Sequence, residues 1–257
     1  MKLGFIGTGV ISEAIILGLL GSDYPVSEFI VSARSKDVSA SLAARSEKVR
    51  IFEDNQAIVD ASDITFLAVL PQDAEVVLSS LQFREGQEII SVIATLSIER
   101  LRELTHPSAT ITRAVPIPAV AERTSPTAIF PPSLTAETLF GALGTAIPAK
   151  TLDEFDALAT ASATMGVYFG NLETLAQWLV SEGVAYRDAR AYLSSMYLGL
   201  ANTSSRLEDT TFDALRIEHS TPNGLNAQQH DIFVEKGGNK ALLGAMTSVS
   251  KRIKSNR

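Results

Sequence analysis

Short apolar runs alternate with amphipathic stretches through the first part of the chain, and the alternation stops near Leu152. Apolar runs too short for a helix and bounded by turn-forming residues read as strands. They predict strands at Lys2–Ile6, Glu28–Ser32, Arg50–Phe52, Ile64–Ala68, Glu88–Val92, Thr110–Ala114, Thr127–Phe130 and Ala146–Pro148. Runs such as Ile64-Thr65-Phe66-Leu67-Ala68-Val69 do not alternate, as expected of parallel strands covered on both faces. Between them, helical spacing predicts helices at Ser39–Ser46, Asn55–Ala61, Gln72–Leu81, Ile98–Leu104 and Ala136–Leu143. Strand-helix alternation of this kind makes an α/β, doubly wound, mainly parallel sheet. The expected first domain is 1–150.

From 151 to 257 only helical patterns remain, so the second domain is expected to be all-helical. Asp153–Ser181 reads as one long helix. Leu158, Met165, Leu172 and Leu179 recur every seven residues, and so do Phe155, Ser162, Phe169 and Ala176, forming one broad stripe. Gly166 and Gly170 would let another backbone approach it. A second helix is predicted over Tyr186–Arg206, burying Tyr192, Met196 and Leu200, with Leu207 just beyond on the same face. Shorter helices follow at Thr210–Ile217, Ala227–Glu235 and Asn239–Ile253, with Gly237-Gly238 ending the Ala227–Glu235 helix. A small helical domain with so wide a stripe needs partner helices, so a homodimer or a higher multiple of dimers is expected.

Composition narrows the chemistry. The 257 residues are 46% hydrophobic and 20% charged, with a net charge of −7, which argues against nucleic acid or an anionic membrane as partner. The absence of cysteine excludes disulfides and thiolate chemistry. His106, His219 and His230 are too scattered for a metal cluster, so no metal is expected. Glycines interrupt the apolar start, no cleavage pattern follows, and no run is long enough to span a bilayer. A cytoplasmic enzyme is expected.

The opening Gly4-Phe5-Ile6-Gly7-Thr8-Gly9-Val10-Ile11-Ser12 supplies its cofactor. A strand, a Gly-x-Gly turn and a helix make the start of a Rossmann-type dinucleotide-binding unit. Gly7 permits the tight turn, and Gly9 leaves room for a pyrophosphate. Val10 and Ile11 begin a helix whose N–H groups and dipole favour an anion. Ser12 stands in for a third glycine. An NAD site places an acid about 20 residues further on. Here the second strand runs instead into Ser32, Ala33, Arg34, Ser35 and Lys36. A guanidinium and hydroxyls suit a 2′-phosphate, so NADPH is the expected cofactor and NADH the alternative.

Several segments together resemble the pyrroline-5-carboxylate reductase family over nearly the whole chain. The opening is similar to its Gly-Phe-Ile-Gly-x-Gly-x-Met-x-x-Ala-Ile, and Ala68-Val69-Leu70-Pro71-Gln72 to its Ala-Val-Lys-Pro-Gln. Ile90-Ser91-Val92-Ile93-Ala94 resembles Ile-Ser-Ile-x-Ala, and Arg113-Ala114-Val115-Pro116 resembles Arg-x-Met-Pro. Asp156–Tyr168 aligns without gaps on Asp-Ala-x-Thr-Ala-x-Ser-Gly-Ser-Gly-Pro-Ala-Tyr, and Ser220-Thr221-Pro222-Asn223-Gly224 on Thr-Ser-Pro-Gly-Gly. The resemblance implies a nucleotide domain, a helical domain that exchanges helices between subunits, and NAD(P)H-dependent reduction of a cyclic imine carboxylate to proline. It adds Ala68, Val69 and Pro71 to the cofactor-binding residues. The departures are Leu70 for lysine, Ile117-Pro118 for Asn-Thr, Asn223 for a glycine, and Asn226 where the family has a substrate-contacting threonine.

Hydride transfer to an imine requires a positioned nicotinamide, a proton near the nitrogen and an anchor for the carboxylate. Thr164, Tyr168 and Asn226 are the catalytic candidates, and Ser162, Thr221, Asn223 and Gly224 the substrate-binding ones. The amides of Pro222–Asn226 at a helix start suit the carboxylate. His219 is a further proton donor, and Arg113 a further partner for a carboxylate or a cap on the sheet edge. A hydroxyacid dehydrogenase would place a lysine on the long helix, and Asp153–Ser181 has none. The alternatives are a reductase of a different cyclic imine or carbonyl and a catalytically silent NADP-binding regulatory protein.

Overall fold

Every predicted strand forms in the computed structural model, which describes residues 1–255. The strands are β1 (Lys2–Ile6), β2 (Glu28–Ser32), β3 (Val49–Phe52), β4 (Ile64–Leu67), β5 (Glu88–Ser91), β6 (Thr110–Val115), β7 (Ser125–Phe130) and β8 (Gly144–Pro148). They make one sheet in the order β3-β2-β1-β4-β5-β6-β7-β8. β1 to β6 are parallel, β7 runs antiparallel to β6, and β8 is again parallel to β7. The connecting helices are α1 (Val10–Leu20), α2 (Lys36–Arg45), α3 (Asn55–Ala61), α4 (Pro71–Leu78), α5 (Ile98–Leu104) and α6 (Leu134–Gly141).

Successive strand residues feed opposite cores, as the pleat requires. Phe5 stacks on Phe66 at 4.6 Å, and Phe66 meets Phe140 edge-on at 6.4 Å on one face. Ile6, Ile30, Leu67 and Ile89 pack on the other. The pattern did not predict the 3-10 segment Pro118–Glu122, which fills the connection from β6 to β7. It lies so close to α1 that a Cβ on Gly18 would collide with the Val120 carbonyl.

The helical half corrects the sequence reading in two places. The expected single helix Asp153–Ser181 is two, α7 (Leu152–Ser162) and α8 (Met165–Ser181). The hydroxyls of Thr160 and Ser162 bond back to the Asp156 and Leu158 carbonyls, a pattern that loosens a helix, and Gly166 follows the break. The predicted stripe divides with it. Phe155 is 1% exposed and packs on Phe130 beside the sheet, so it is core rather than subunit surface. Leu172, Ala176 and Leu179 instead pack against α9 (Tyr186–Arg206). The second correction concerns α9, which buries Ala189 and Leu193. The predicted set Tyr192, Met196, Leu200 and Leu207 is exposed within one chain.

The remaining helices are α10 (Phe212–Glu218), α11 (Leu225–Glu235) and α12 (Gly238–Lys254). The chain divides into two compact units, one of residues 1–162 with the segment from Ser250, the other Ala163–Val249. No helix of the described residues is long and apolar enough to cross a membrane.

Candidate dinucleotide site and substrate loop

β1 lies between β2 and β4, so the connections leaving its two neighbours diverge around its C-terminal end. That is the switch point at which doubly wound sheets form their ligand crevice. The turn there is pinned. Gly7 has φ +99°, and a Cβ on it would sit 2.6 Å from the Ala68 carbonyl oxygen, so both its conformation and its space demand glycine. Its N–H donates to Ser32 Oγ at 3.2 Å, and its carbonyl accepts from Ser12 Oγ at 2.7 Å. Buried Thr8 donates through Oγ1 to the Ser32 carbonyl at 2.9 Å. Gly9 caps α1 without a side-chain bond, and a Cβ on it would meet nothing within 4 Å. Three sides of the turn are held and the fourth is open. The open space above Gly9 and the uncapped start of α1, at Val10 and Ile11, fit a dinucleotide pyrophosphate.

The residues past β2 separate into two roles. Ser32 is buried and its hydroxyl serves the turn, so it belongs to the scaffold of the site and not to its rim. Arg34 is on the rim, its side chain 64% exposed, with Nη2 3.0 Å from Asp73 Oδ2. Ser35 is the N-cap of α2 and makes no side-chain cap bond. Across the crevice, the Ala68 N–H donates to the Ile6 carbonyl at 2.9 Å, Val69 is buried, and Pro71 opens α4. Leu70, in the family's lysine position, is 59% exposed.

Arg113 is 6% exposed at the end of β6, donates to the Ala94 carbonyl at 2.9 Å and lies 4.7 Å over the Phe155 ring. It lines a cavity of about 40 Å³ with Asp156. Through these contacts Arg113 ties the loop after β5 to α7.

In the helical unit, Thr164 is the N-cap of α8, one turn before Tyr168. The Tyr168 ring meets Phe169 and Tyr197 edge-on at 5.1 and 5.9 Å. Ser162, in the other unit, ends α7 with its hydroxyl bonded to Leu158. The loop before α11 is a tight turn in which the Gly224 N–H donates to the Thr221 carbonyl at 2.8 Å. Asn223 has φ +59°, so the position still requires the left-handed conformation, and asparagine is the residue after glycine that adopts it most readily. A Cβ on Gly224 would collide with Thr221 Oγ1. Asn226 does not present its whole amide to a ligand, because Nδ2 donates to the His219 carbonyl at 2.6 Å and braces the turn. His219 is occupied in turn, with Nδ1 2.8 Å from the Leu215 carbonyl.

Three contributors escaped the sequence reading: Thr8, Ser12 as a hydrogen-bond donor, and Asp73. For the first two the signal was present, as hydroxyls inside and just after the glycine turn. For Asp73 there was none, because nothing in sequence spacing joins it to Arg34. No group of residues able to hold a metal occurs among the described residues.

Known proteins match both parts of the chain. Residues 2–95 match the family model described as NADP oxidoreductase coenzyme F420-dependent, and residues 150–256 match pyrroline-5-carboxylate reductase dimerisation. The pyrroline-5-carboxylate reductase of Haemophilus influenzae is 28% identical, the match covering 97% of this chain and 95% of that one. The crystal structure of 1-pyrroline-5-carboxylate reductase from Streptococcus pyogenes superposes with a TM-score of 0.86 at 24% identity, covering 99% and 98% of the two chains. The Plasmodium falciparum pyrroline carboxylate reductase structure with NADP bound gives 0.81 at 17% identity, covering 100% and 98%. The chain is similar to pyrroline-5-carboxylate reductases over nearly its whole length, and its second part matches the dimerisation model of that family.

Proposed function

We propose that the protein is an NADPH-dependent reductase that converts 1-pyrroline-5-carboxylate to proline, working as a homodimer or a higher multiple of dimers. The observation that carries the reading is the pinned glycine turn, open above Gly9, with Arg34 and Ser35 just beyond β2 where an NAD site has an acid. Full-length relatives of that activity support the choice of substrate. Its proposed place of work is the cytoplasm.

When bound, the cofactor supplies a hydride from its nicotinamide ring to the imine carbon. The protein's own work is to bind, orient and hold a proton. The amides at Val10 and Ile11 take the pyrophosphate, Arg34 and Ser35 the 2′-phosphate, and Ala68, Val69 and Pro71 line the opposite wall. In the helical unit the uncapped start of α11, with Thr221, Asn223 and Gly224, takes the substrate carboxylate. The hydroxyls of Thr164 and Tyr168, with the remaining hydrogen-bonding capacity of Asn226, are the groups proposed to hold a hydrogen bond to the imine nitrogen. No nucleophile is needed, and the imine nitrogen is basic enough to carry its own proton near neutrality.

The test is oxidation of NADPH in the presence of 1-pyrroline-5-carboxylate, set against a panel of five- and six-membered cyclic imines. Saturable turnover with the first compound is expected. Binding of NADPH without turnover of any imine would mean a silent nucleotide-binding protein. Turnover confined to another ring would mean a different reductase.

A further inference from the structure

We propose that Asp73 sets the cofactor preference of this enzyme by competing with the 2′-phosphate of NADPH for Arg34. The inference rests on the proposed nucleotide site and adds to it a residue that neither the motif nor the family resemblance singles out. Arg34 follows β2 and Asp73 stands in the first turn of α4, which follows β4. β2 and β4 flank β1, so the 3.0 Å bridge between Arg34 Nη2 and Asp73 Oδ2 spans the end of β1. The crevice above the glycine turn is thus strapped from one side to the other. Because Gly7 N–H is bonded to Ser32 Oγ at 3.2 Å, the start of the Arg34 segment is fixed against the turn it overhangs.

The charge balance there is local. Leu70, the N-cap of α4, is exposed and adds no charge to that rim. Paired with Asp73, Arg34 presents a nearly neutral group, and a phosphate that engages the guanidinium also approaches a carboxylate. NADH, with a 2′-hydroxyl in that place, gains little from a free Arg34 and loses little to Asp73. Asp73 therefore weakens NADPH selectively and brings the two cofactors closer in affinity. The bridge is solvent-exposed, with side chains 64% and 31% accessible, so its hold on Arg34 is modest. Exposed ion pairs of this kind correspond to about a two- to fivefold effect on affinity.

The experiment measures dissociation constants of NADPH and NADH for the intact enzyme and for Asp73→Asn, Arg34→Ala and the double variant, by nucleotide fluorescence at low salt. Asp73→Asn is expected to tighten NADPH about two- to fivefold and leave NADH within about twofold. In the Arg34→Ala background the same substitution is expected to change NADPH affinity far less. High salt should shrink the gain, as for any exposed pair. An unchanged NADPH to NADH ratio overturns the role of Asp73, and so does weaker NADPH binding, which would make Asp73 an aid that orients Arg34. A wild-type protein that binds neither nucleotide overturns the nucleotide site itself, a distinct failure that takes this inference with it.

Discussion

Gly7 and Gly9 are two residues apart and identical in sequence terms, yet the structure gives them opposite duties. Gly7 is required by the fold, since a side chain there meets the Ala68 backbone at 2.6 Å in a left-handed conformation that costs about 1–2 kcal/mol without glycine. Gly9 is required by the ligand, since a side chain there enters empty space. Gly7→Ala is therefore expected to lower the melting temperature by several degrees, whereas Gly9→Val melts like the wild type and no longer binds NADPH. Calorimetry and a nucleotide titration on the two variants separate these outcomes, and normal NADPH binding by Gly9→Val would refute the site. At the rim, Arg34→Asp puts an acid where NAD enzymes have one and is expected to turn the preference towards NADH. Equal affinities for the two cofactors before and after that change would refute the assignment. On the substrate loop, Asn226 replaces a family hydroxyl with a longer amide that bonds to His219. A displacement of 1 Å costs about 100-fold in rate, so wild-type turnover of 1-pyrroline-5-carboxylate is expected to be slow. Asn226→Thr is expected to raise kcat on that substrate, and a fall would show that the loop has been reshaped around the amide.

Elements were legible where one signal dominated. Continuous apolar runs such as Ile64–Leu67 have only one way to be buried, in a sheet covered on both faces, and the central strands β1, β2, β4 and β5 are buried in that way. The break between α7 and α8 was illegible because it does not interrupt the hydrophobic period. It comes from hydroxyls bonding back to the preceding turn, which pattern reading ignores. The nucleotide turn was legible because glycine spacing carries its own geometry, whereas Arg34–Asp73 was not, because tertiary pairing between two loops leaves no local trace. One contact between α8 and α9 is also invisible in sequence: Tyr186 Oη donates to Glu173 Oε2 at 2.7 Å. Hydrogen bonds from Gln177 and then Tyr186 hold the Glu173 carboxyl below its ordinary 4.5, and the bond to Glu173 raises the Tyr186 phenol above its ordinary 10.0. A lowered carboxyl contributes stability above 4.5 that is lost on acidification, and a raised phenol contributes stability below 10.0 that is lost in alkali. The melting difference between wild type and Tyr186→Phe is thus expected to be small and constant between those two values and to shrink outside them. A difference that grows in acid would contradict the pairing.

At the scale of the molecule, the two units bury their side chains very differently. The sheet unit has cores on both faces, whereas α11 and α12 bury no residue at all. Phe169 is 66% exposed, Trp178 59%, Phe233 54% and Leu243 63%, on three different helices of Ala163–Val249. A single soluble chain rarely exposes so many large apolar groups together, and the region lies within the match to the dimerisation family model. Gly166 and Gly170 add to the case, because a Cβ on either meets nothing within 4 Å, leaving both open to a backbone from outside the chain. The protein is accordingly expected to sediment as a dimer or a higher multiple at micromolar concentration. Its folding and its association should be one event, since helices without a core of their own have no reason to persist in a lone subunit. Introducing a charge by Leu243→Glu or Phe169→Glu should then give aggregate or unfolded chain rather than a smaller folded species. For the wild type, melting should shift upward with protein concentration. A variant that sediments as a monomer with its helical circular dichroism intact would show that the apolar faces are covered within one chain, and the subunit exchange implied by the family would not hold for this protein.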